Sequence, residues 1–225
     1  MKSRIITSKE IGEMFELIDH NLEEATDVIM IGGGAMALRN EKSATKDVDL
    51  VIPDTEHHKR FISAIERCGF IQPGYLELPY RMMDAPIYIH PDGYRLDIFR
   101  DRICKKFLVH QAMIKRSEER IRLKHLTVLL MSREDIFLAK SFTERSGDLD
   151  DMYVLYTKGL DEEVILAEVG FQSRHSKAGH IWESFLKVKL DELEERYDIT
   201  VPFKRRVERM AIAKMEKNIA GRASK

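Results

Sequence analysis

Two aspartates lie two residues apart at the start of an apolar run, in the segment TKDVDLVI of residues 45–52. If this run is extended, side chains alternate between the two faces of the strand, so Asp47 and Asp49 share one face, about 7 Å apart. A third acid, Asp97, is flanked by apolar residues in RLDIF. Three carboxylates at one site would repel one another unless a divalent cation neutralised them. The oxygen-only ligand set favours Mg²⁺, or Mn²⁺, bound by Asp47, Asp49 and Asp97.

Three glycines follow an apolar run in IGGGAMAL, residues 31–38, where we expect a strand to turn into a helix. Because Gly32 and Gly33 have no side chain, their main-chain N–H groups can approach an anion, and the following helix directs its positive end to the same place. A triphosphate could contact the glycine turn at one end and a cation held by the aspartates at the other, which would account for both motifs. The chemistry expected there is in-line attack of an acceptor oxygen on an α-phosphate.

The composition is ordinary for a soluble globular protein, with 44% hydrophobic residues, 33% charged residues and a net charge of −1. No apolar stretch approaches the roughly 18 residues that cross a bilayer, so we expect no membrane partner. The N-terminus has acids and a helical period where a signal peptide needs an uninterrupted apolar core, which favours a cytoplasmic protein. Cys68 and Cys104 lack the spacing of zinc ligands or of a disulfide framework.

Hydrophobic periodicity predicts an α/β half followed by a helical half. Strands are expected at DVIMI, VDLVI and HLTVLL, with a hairpin at APIYIHPDGYRLDIF and a basic helical stretch after it. In the first half, helices are expected at about 9–24 and from a cap at Asp54 or Thr55 to Gly69. In the second half, two helices are expected after Ser132, separated by a break at Gly147, and three more at about 161–169, 178–197 and 202–220. The predicted fold class is therefore α+β, with a core of residues 1–131 and a helical C-terminal domain of residues 132–225.

The motifs together resemble the signature of the DNA polymerase beta-like nucleotidyltransferase superfamily: IGG, a gap of thirteen residues, DVDL and a later acid. The resemblance covers roughly residues 27–100. It implies a nucleotidyltransferase-type mixed β-sheet flanked by helices, with Asp97 in the place of the third acid.

A narrower resemblance extends into the helical half. GGGAMAL and TKDVDLVI, followed by SREDIFLAKSFTERSGDLDDMY, are similar to uncharacterised bacterial and archaeal nucleotidyltransferase-like proteins related to abortive-infection and type IV toxin components. This resemblance implies nucleotide-handling roles for Lys140, Arg145 and Asp148 or Asp151. Gly147 stands where those proteins often have arginine.

Several cations are candidates for contacts with phosphate. Arg39 and Lys46 lie close to the two motifs in sequence. Residues 105–125 contain seven Lys or Arg against two Glu, and residues 204–225 contain eight against two. These segments are expected to steer an acceptor such as RNA, or to contact a protein acceptor, unless they are simply solvated faces.

The leading hypothesis is a metal-dependent nucleotidyltransferase that moves a nucleoside monophosphate from an NTP to a hydroxyl of RNA, protein or a small molecule. A second hypothesis keeps the fold as an antitoxin-like or regulatory protein that binds nucleotide or a partner without turnover. A third is a Rossmann unit, because GGGAMA also fits G-x-G-x-x-A and Asp54 follows about 20 residues later. The alternatives without a functional role are that Asp97 is a solvent-facing acid on an edge strand, that Lys140 is a surface lysine, and that Arg145 forms a local ion pair with Asp148.

Overall fold

The computed structural model describes residues 4–74, 85–143, 145, 147–175 and 182–223. The chain divides into two compact units, Met1–Ser132 and Arg133–Lys225. The sequence placed the boundary between residues 131 and 132. We refer to these parts as the sheet unit and the helical unit.

The sheet unit alternates strands with short helices. Its helices are α1 (Ser8–Asp19), α2 (Gly32–Leu38), α3 (Thr55–Arg67) and α4 (Gln111–Arg116). Its strands are β1 (Thr26–Ile31), β2 (Val48–Val51), β3 (Ile87–Ile89), β4 (Arg95–Phe99), β5 (Arg102–Ile103), β6 (Phe107–Leu108), β7 (Glu118–Arg122) and β8 (Leu126–Leu130).

Six of these strands form one mixed sheet in the order β3-β4-β2-β1-β8-β7. β1 pairs in parallel with β8, and β2 with β4, whereas the other neighbours are antiparallel. All four residues of β2 are buried, as expected of a central strand that is covered on both faces. The mixed sheet flanked by helices and the C-terminal helices confirm the α+β class, and β3 and β4 confirm the predicted hairpin.

The same pairing excludes a Rossmann unit at the glycine motif. In a βαβ unit the strands before and after the helix run in parallel. Here β1 and β2, which flank α2, are antiparallel neighbours with Ile31 opposite Asp49. The dinucleotide-binding alternative is therefore wrong for this segment.

The first helix differs from its prediction at both ends. Its cap is Thr7 rather than Ser8, because Thr7 and Glu10 form a reciprocal capping box. α1 ends at Asp19 instead of continuing to residue 24, and the Asp19 carboxylate accepts the main-chain N–H groups of His125 and Leu126 at 2.7 and 2.8 Å. The last residue of α1 is thus bound to a segment more than a hundred positions later in the sequence.

The basic stretch predicted as helix is only partly helical. The pair β5 and β6 precedes α4, and β7 follows it. Cys104 and Lys105 have φ values of +49° and +61°, so the chain reverses tightly between the two short strands.

The helical unit contains α5 (Arg133–Ser141), α6 (Asp148–Thr157), α7 (Glu162–His175), α8 (Trp182–Tyr197) and α9 (Lys204–Ala223). Its core includes the fully buried Trp182 and an edge-to-face contact of Phe137 with Phe203, whose ring centroids are 6.2 Å apart. None of the helices in the described ranges is long and apolar enough to cross a membrane.

Candidate active site

Two of the three predicted acids lie side by side in the sheet. Asp49 in β2 and Asp97 in β4 are directly opposite each other in the parallel register of these strands. Neighbouring strands are about 4.8 Å apart, and opposite residues project from the same face. Asp97 is completely buried and Asp49 is 6% exposed. Because burying a carboxylate is costly without a charge partner or hydrogen bonds, both acids are expected to have such partners.

Asp97 is held by an arginine of its own strand. The Arg95 guanidinium donates from Nε to Asp97 Oδ1 and from Nη2 to Asp97 Oδ2, both at 2.7 Å. This is the two-pronged geometry that makes arginine–carboxylate pairs strong. The Arg95 side chain is only 11% exposed, so little water screens the pair. Sequence reasoning missed Arg95, although its position two residues before Asp97 puts it on the same strand face.

The glycine motif is part of a helix, since α2 begins at Gly32 itself. Gly32 has a φ of +62°, the left-handed region that glycine tolerates best. A Cβ on Gly32 would lie 2.6 Å from Asp49 Oδ2, so any side chain there would collide with the carboxylate. The sequence explained Gly32 by approach to a phosphate, and the structure adds a close approach to Asp49.

Gly33 faces two polar groups of the segment between α2 and β2. A Cβ on Gly33 would lie 2.9 Å from Thr45 Oγ1 and 3.7 Å from Lys42 Nζ. The Lys42 ammonium therefore lies close to Gly33. The sequence had indicated Lys46, and not Lys42, as the lysine that contacts phosphate. Lys46 is exposed in the bend before Asp47. Nothing local distinguishes the two lysines, because the difference depends on how this segment folds back onto α2.

Asp47 is half-buried and comes immediately before β2. The Thr45 hydroxyl donates to the Asp47 carbonyl oxygen at 3.0 Å. Thr45 is itself fixed by a two-way main-chain bridge with Ile6, at 2.8 and 2.9 Å. The N-terminal segment therefore sets the point at which the chain enters the strand that carries Asp49.

Arg39, predicted to contact phosphate, is engaged by the protein. Its Nη2 donates to the carbonyl oxygens of Met131 at 2.7 Å and Leu130 at 3.4 Å, and its Nε lies 3.6 Å from Glu118 Oε2. These contacts tie the end of α2 to the end of β8. Their sequence separations of 91 and 92 residues explain why local reasoning did not find them.

The candidates in the helical unit form an ion cluster within that unit. Lys140 Nζ lies 3.1 Å from Asp148 Oδ1 and 2.6 Å from Asp151 Oδ2, and all three side chains are about nine-tenths buried. Burial acts to lower the pKa of Lys140, but the carboxylates of Asp151 and Asp148 outweigh it and raise this pKa above the ordinary lysine value. Lys140 is therefore a buried cation and not a snorkelling surface lysine.

Asp148 also accepts hydrogen bonds from Thr143 Oγ1 at 2.5 Å and from the main-chain N–H of Arg145 at 3.1 Å. Arg145 itself is exposed. Asp148 and Asp151 lie in the first turn of α6, where carboxylates are stabilised by the helix dipole. The cluster thus satisfies its carboxylates with lysine, hydroxyl and main-chain donors of its own segment.

The two basic segments differ in how their cations are used. In residues 204–225, Lys204 lies 2.7 Å from Asp191 and 2.6 Å from Glu194, and Arg206 pairs with Glu163. In residues 105–125, β7 is an edge strand whose Arg120 and Arg122 are exposed, and Arg122 pairs with Glu119. Lys204 and Arg206 are thus compensated by acids of the helical unit.

A divalent cation fits part of the predicted ligand set. Within the described ranges, no group of three or more His, Cys, Asp or Glu side chains is arranged to hold a metal ion. Both oxygens of Asp97 already accept hydrogen bonds from Arg95. Mg²⁺ is commonly held by only one or two protein carboxylates together with substrate phosphates and water. Asp47 and Asp49 fit that requirement, and they are the residues that would hold the ion.

Comparison with family models found none that matches the chain, and comparison with curated proteins found no match either.

Proposed function

We propose that the sheet unit binds an NTP with Mg²⁺ or Mn²⁺ and transfers its nucleoside monophosphate to an acceptor hydroxyl, as a member of the DNA polymerase beta-like nucleotidyltransferases. The observation that carries the proposal is the in-register pair of buried acids, Asp49 and Asp97, next to the left-handed Gly32. Buried carboxylates on adjacent strands are costly, and a fold bears that cost where a site needs them.

The proposed roles follow the contacts of the site. Asp47 and Asp49 hold the cation, which neutralises phosphate charge and polarises the phosphoryl oxygens when it is bound. The Gly33 N–H group and the neighbouring Lys42 ammonium bind the phosphates. Gly32 leaves room for the Asp49 carboxylate. Asp97 is held in place by Arg95.

The reaction forms a bond between the acceptor oxygen and the α-phosphorus. It breaks the bond from that phosphorus to the oxygen that bridges to the β-phosphate, and pyrophosphate leaves with this oxygen. The hydroxyl proton of the acceptor passes to water. Catalysis would come from positioning and charge stabilisation, as in other phosphoryl and nucleotidyl transfers.

The acceptor is RNA, protein or a small molecule, and the exposed cations of residues 105–125 favour an anionic one such as RNA. This segment includes the edge strand β7, whose Arg120 is exposed to solvent, and the exposed Lys124 that follows the strand. Residues 204–225 are weaker candidates, because Lys204 and Arg206 bind acids of the helical unit.

The test is transfer of label from each α-³²P-labelled NTP, with Mg²⁺ or Mn²⁺, to total RNA or to total protein. The matched variant is Asp47→Asn/Asp49→Asn, which keeps the shape of both side chains and removes both charges. Label that appears on one acceptor class with the wild type, and not with the variant, supports the proposal. Equal labelling by the variant would reject the assignment of these acids.

A second candidate function is NTP binding without turnover, in an antitoxin-like or regulatory role. The observation that favours it is the Arg95 pair, which occupies both oxygens of Asp97. Mg²⁺-dependent NTP binding that requires Asp49, with no transfer to any acceptor, would select this function.

A further inference from the structure

We infer that Thr45 is a positioning residue of the proposed nucleotide site, which joins the glycine turn to the chain that carries Asp47, and that the N-terminal segment of residues 4–7 holds it in place. This inference rests on the proposed function. Neither the threonine nor the segment is among the residues expected from the sequence to take part in the site.

The first argument is the position of the Thr45 hydroxyl. It donates to the carbonyl oxygen of Asp47 at 3.0 Å. A Cβ on Gly33 would lie 2.9 Å from Thr45 Oγ1, so the hydroxyl lies directly against the glycine turn. Thr45 is only 6% exposed, so water has little access to either contact. One side chain thus touches both of the motifs that the proposed function combines.

The second argument is how Thr45 is held. The Ile6 N–H donates to the Thr45 carbonyl oxygen at 2.8 Å, and the Thr45 N–H donates to the Ile6 carbonyl oxygen at 2.9 Å. The two residues form an antiparallel bridge outside the strands of the sheet, and the Ile6 side chain is fully buried. Because both main-chain groups of Thr45 are bound, the direction of its hydroxyl is fixed by the N-terminal segment.

The third argument is the other end of that segment, which is attached to the turn between β3 and β4. The Arg4 guanidinium lies 5.5 Å from the ring centroid of Tyr94, and Arg4 Nη1 donates to the carbonyl oxygen of Asp92 at 3.4 Å. A Cβ on Gly93 would lie 3.1 Å from Arg4 Cβ. The segment is therefore bound to the hairpin as well as to the chain before β2.

Both attachments lie at the end of the sheet that carries the candidate site. β2 and β4 run in parallel with Val48 opposite Leu96, so the chain before β2 and the turn before β4 are at the same end. Ile31, the last residue of β1, is opposite Asp49, which brings the glycine turn to this end too. The N-terminal segment thus joins two chain segments that border the site, and Thr45 passes its position on to the glycine turn.

The experiment compares variants of two buried threonines by equilibrium binding of α-³²P-labelled NTPs with Mg²⁺. Thr45→Val has a similar volume without the hydroxyl, and it should weaken binding about tenfold because the glycine turn and Asp47 lose their common contact. Thr45→Ser retains the hydroxyl and should stay within about threefold of wild type.

Thr26→Val is the matched control. Thr26 is fully buried at the start of β1, and its hydroxyl also donates to a main-chain carbonyl oxygen, that of Glu24 at 3.1 Å. This variant loses the same kind of hydrogen bond at the opposite end of β1. It should therefore lose stability as Thr45→Val does, and keep the NTP affinity of the wild type.

Hydrogen exchange measured by mass spectrometry without nucleotide gives an independent readout. Thr45→Val should speed up amide exchange in peptides covering residues 31–38 as well as 45–51, whereas Thr26→Val should leave both unchanged. Gly33→Ala reaches the same contact from the other side and should speed up exchange at the bridge of Ile6 with Thr45. Gly12→Ala, whose Cβ meets nothing within 4 Å, should not.

NTP binding by the wild type that is unchanged in Thr45→Val, or weakened equally in Thr26→Val, would overturn the inference and leave the proposed function standing. No Mg²⁺-dependent binding of any NTP by the wild type would reject the proposed function and the inference with it. Binding that is weakened in Thr45→Val and restored in Thr45→Ser supports the inference. If circular dichroism shows that Thr45→Val does not fold, Gly33→Ala decides, and unchanged exchange at the bridge would overturn the inference.

Discussion

The sheet unit and the helical unit each contain a pair of buried aspartates near a cation, Asp49 and Asp97 in the first and Asp148 and Asp151 in the second, and the backbone around the two pairs differs. In the sheet unit, Arg95 binds both oxygens of Asp97 while Asp49 lies against Gly32. In the helical unit, Lys140 contacts both Asp148 and Asp151. Arg95 thus forms a two-pronged pair with one carboxylate, and Lys140 bridges two carboxylates.

The backbone accounts for the difference. Asp148 and Asp151 occupy the first turn of α6, where the helix dipole favours negative charge, and Asp148 also accepts a main-chain N–H and a hydroxyl hydrogen bond. In the interior of a strand, the main-chain groups are committed to the neighbouring strands. We propose that the sheet pair belongs to a ligand site, and that the helical cluster, whose charges are paired within its own unit, contributes mainly to stability.

The largest effect is expected from removal of the shared lysine. Lys140→Met would leave two buried carboxylates without their cation and should cost about 3–5 kcal/mol of unfolding free energy. Urea denaturation followed by the fluorescence of Trp182, the single tryptophan, reports on this unit. Lys46→Met, which changes an exposed lysine, is the control and should stay within about 0.5 kcal/mol of wild type.

The triple variant Lys140→Met/Asp148→Asn/Asp151→Asn should regain much of the lost stability, because no buried charge remains unpaired. A loss below about 1 kcal/mol in Lys140→Met would contradict the structural role of the cluster.

The next largest effect is expected at the contact between the glycine motif and the sheet acids. Gly32→Ala forces a side chain into left-handed backbone, at about 1–2 kcal/mol, and against Asp49 Oδ2. The displaced carboxylate should lower nucleotide transfer by about 100-fold. Gly12→Ala is the matched control, since its Cβ meets nothing within 4 Å and helix α1 should gain about 0.5–1 kcal/mol. Full activity in Gly32→Ala would refute the role given to this contact.

A smaller effect is expected at alkaline pH from Lys140 of the helical unit. The pKa of Lys140 is raised in the folded state, so the cluster stabilises the fold fully below the unfolded lysine pKa of about 10.4 and loses this contribution as the pH rises through the folded value. The stability difference between wild type and the triple variant should therefore shrink above about pH 10.5. The subtraction cancels the titration of other lysines and of tyrosines. A difference that disappears below pH 9 would contradict the raised pKa.

The strands and the hairpin were predictable because alternation and turn chemistry are local signals. The same signal placed Asp49 and Asp97 on strand faces. The register that sets them opposite each other is tertiary and required the structure. Arg95 was within reach of sequence reasoning, since residues two apart on a strand share a face.

Several side-chain contacts could not be predicted from local sequence patterns. The end of α1 is marked by the contact of Asp19 with residues more than a hundred positions away, and Arg39 binds Met131. The burial of Lys140 depends on α6 returning its acids to α5. Lys42 lies beside Gly33 only because the intervening segment folds back onto α2. In each case a side chain contacts a partner that its own neighbourhood in sequence does not reveal.

The most direct test of the difference between the two acid pairs is equilibrium binding of labelled NTPs, with and without Mg²⁺, to wild type, Asp49→Asn and Asp151→Asn. We predict Mg²⁺-dependent binding in the wild type, a loss of at least about tenfold in Asp49→Asn, and wild-type affinity in Asp151→Asn at a temperature where that variant is folded. Binding that survives in Asp49→Asn, or that is lost equally in Asp151→Asn, would contradict the division between a ligand site in the sheet and a structural cluster in the helices.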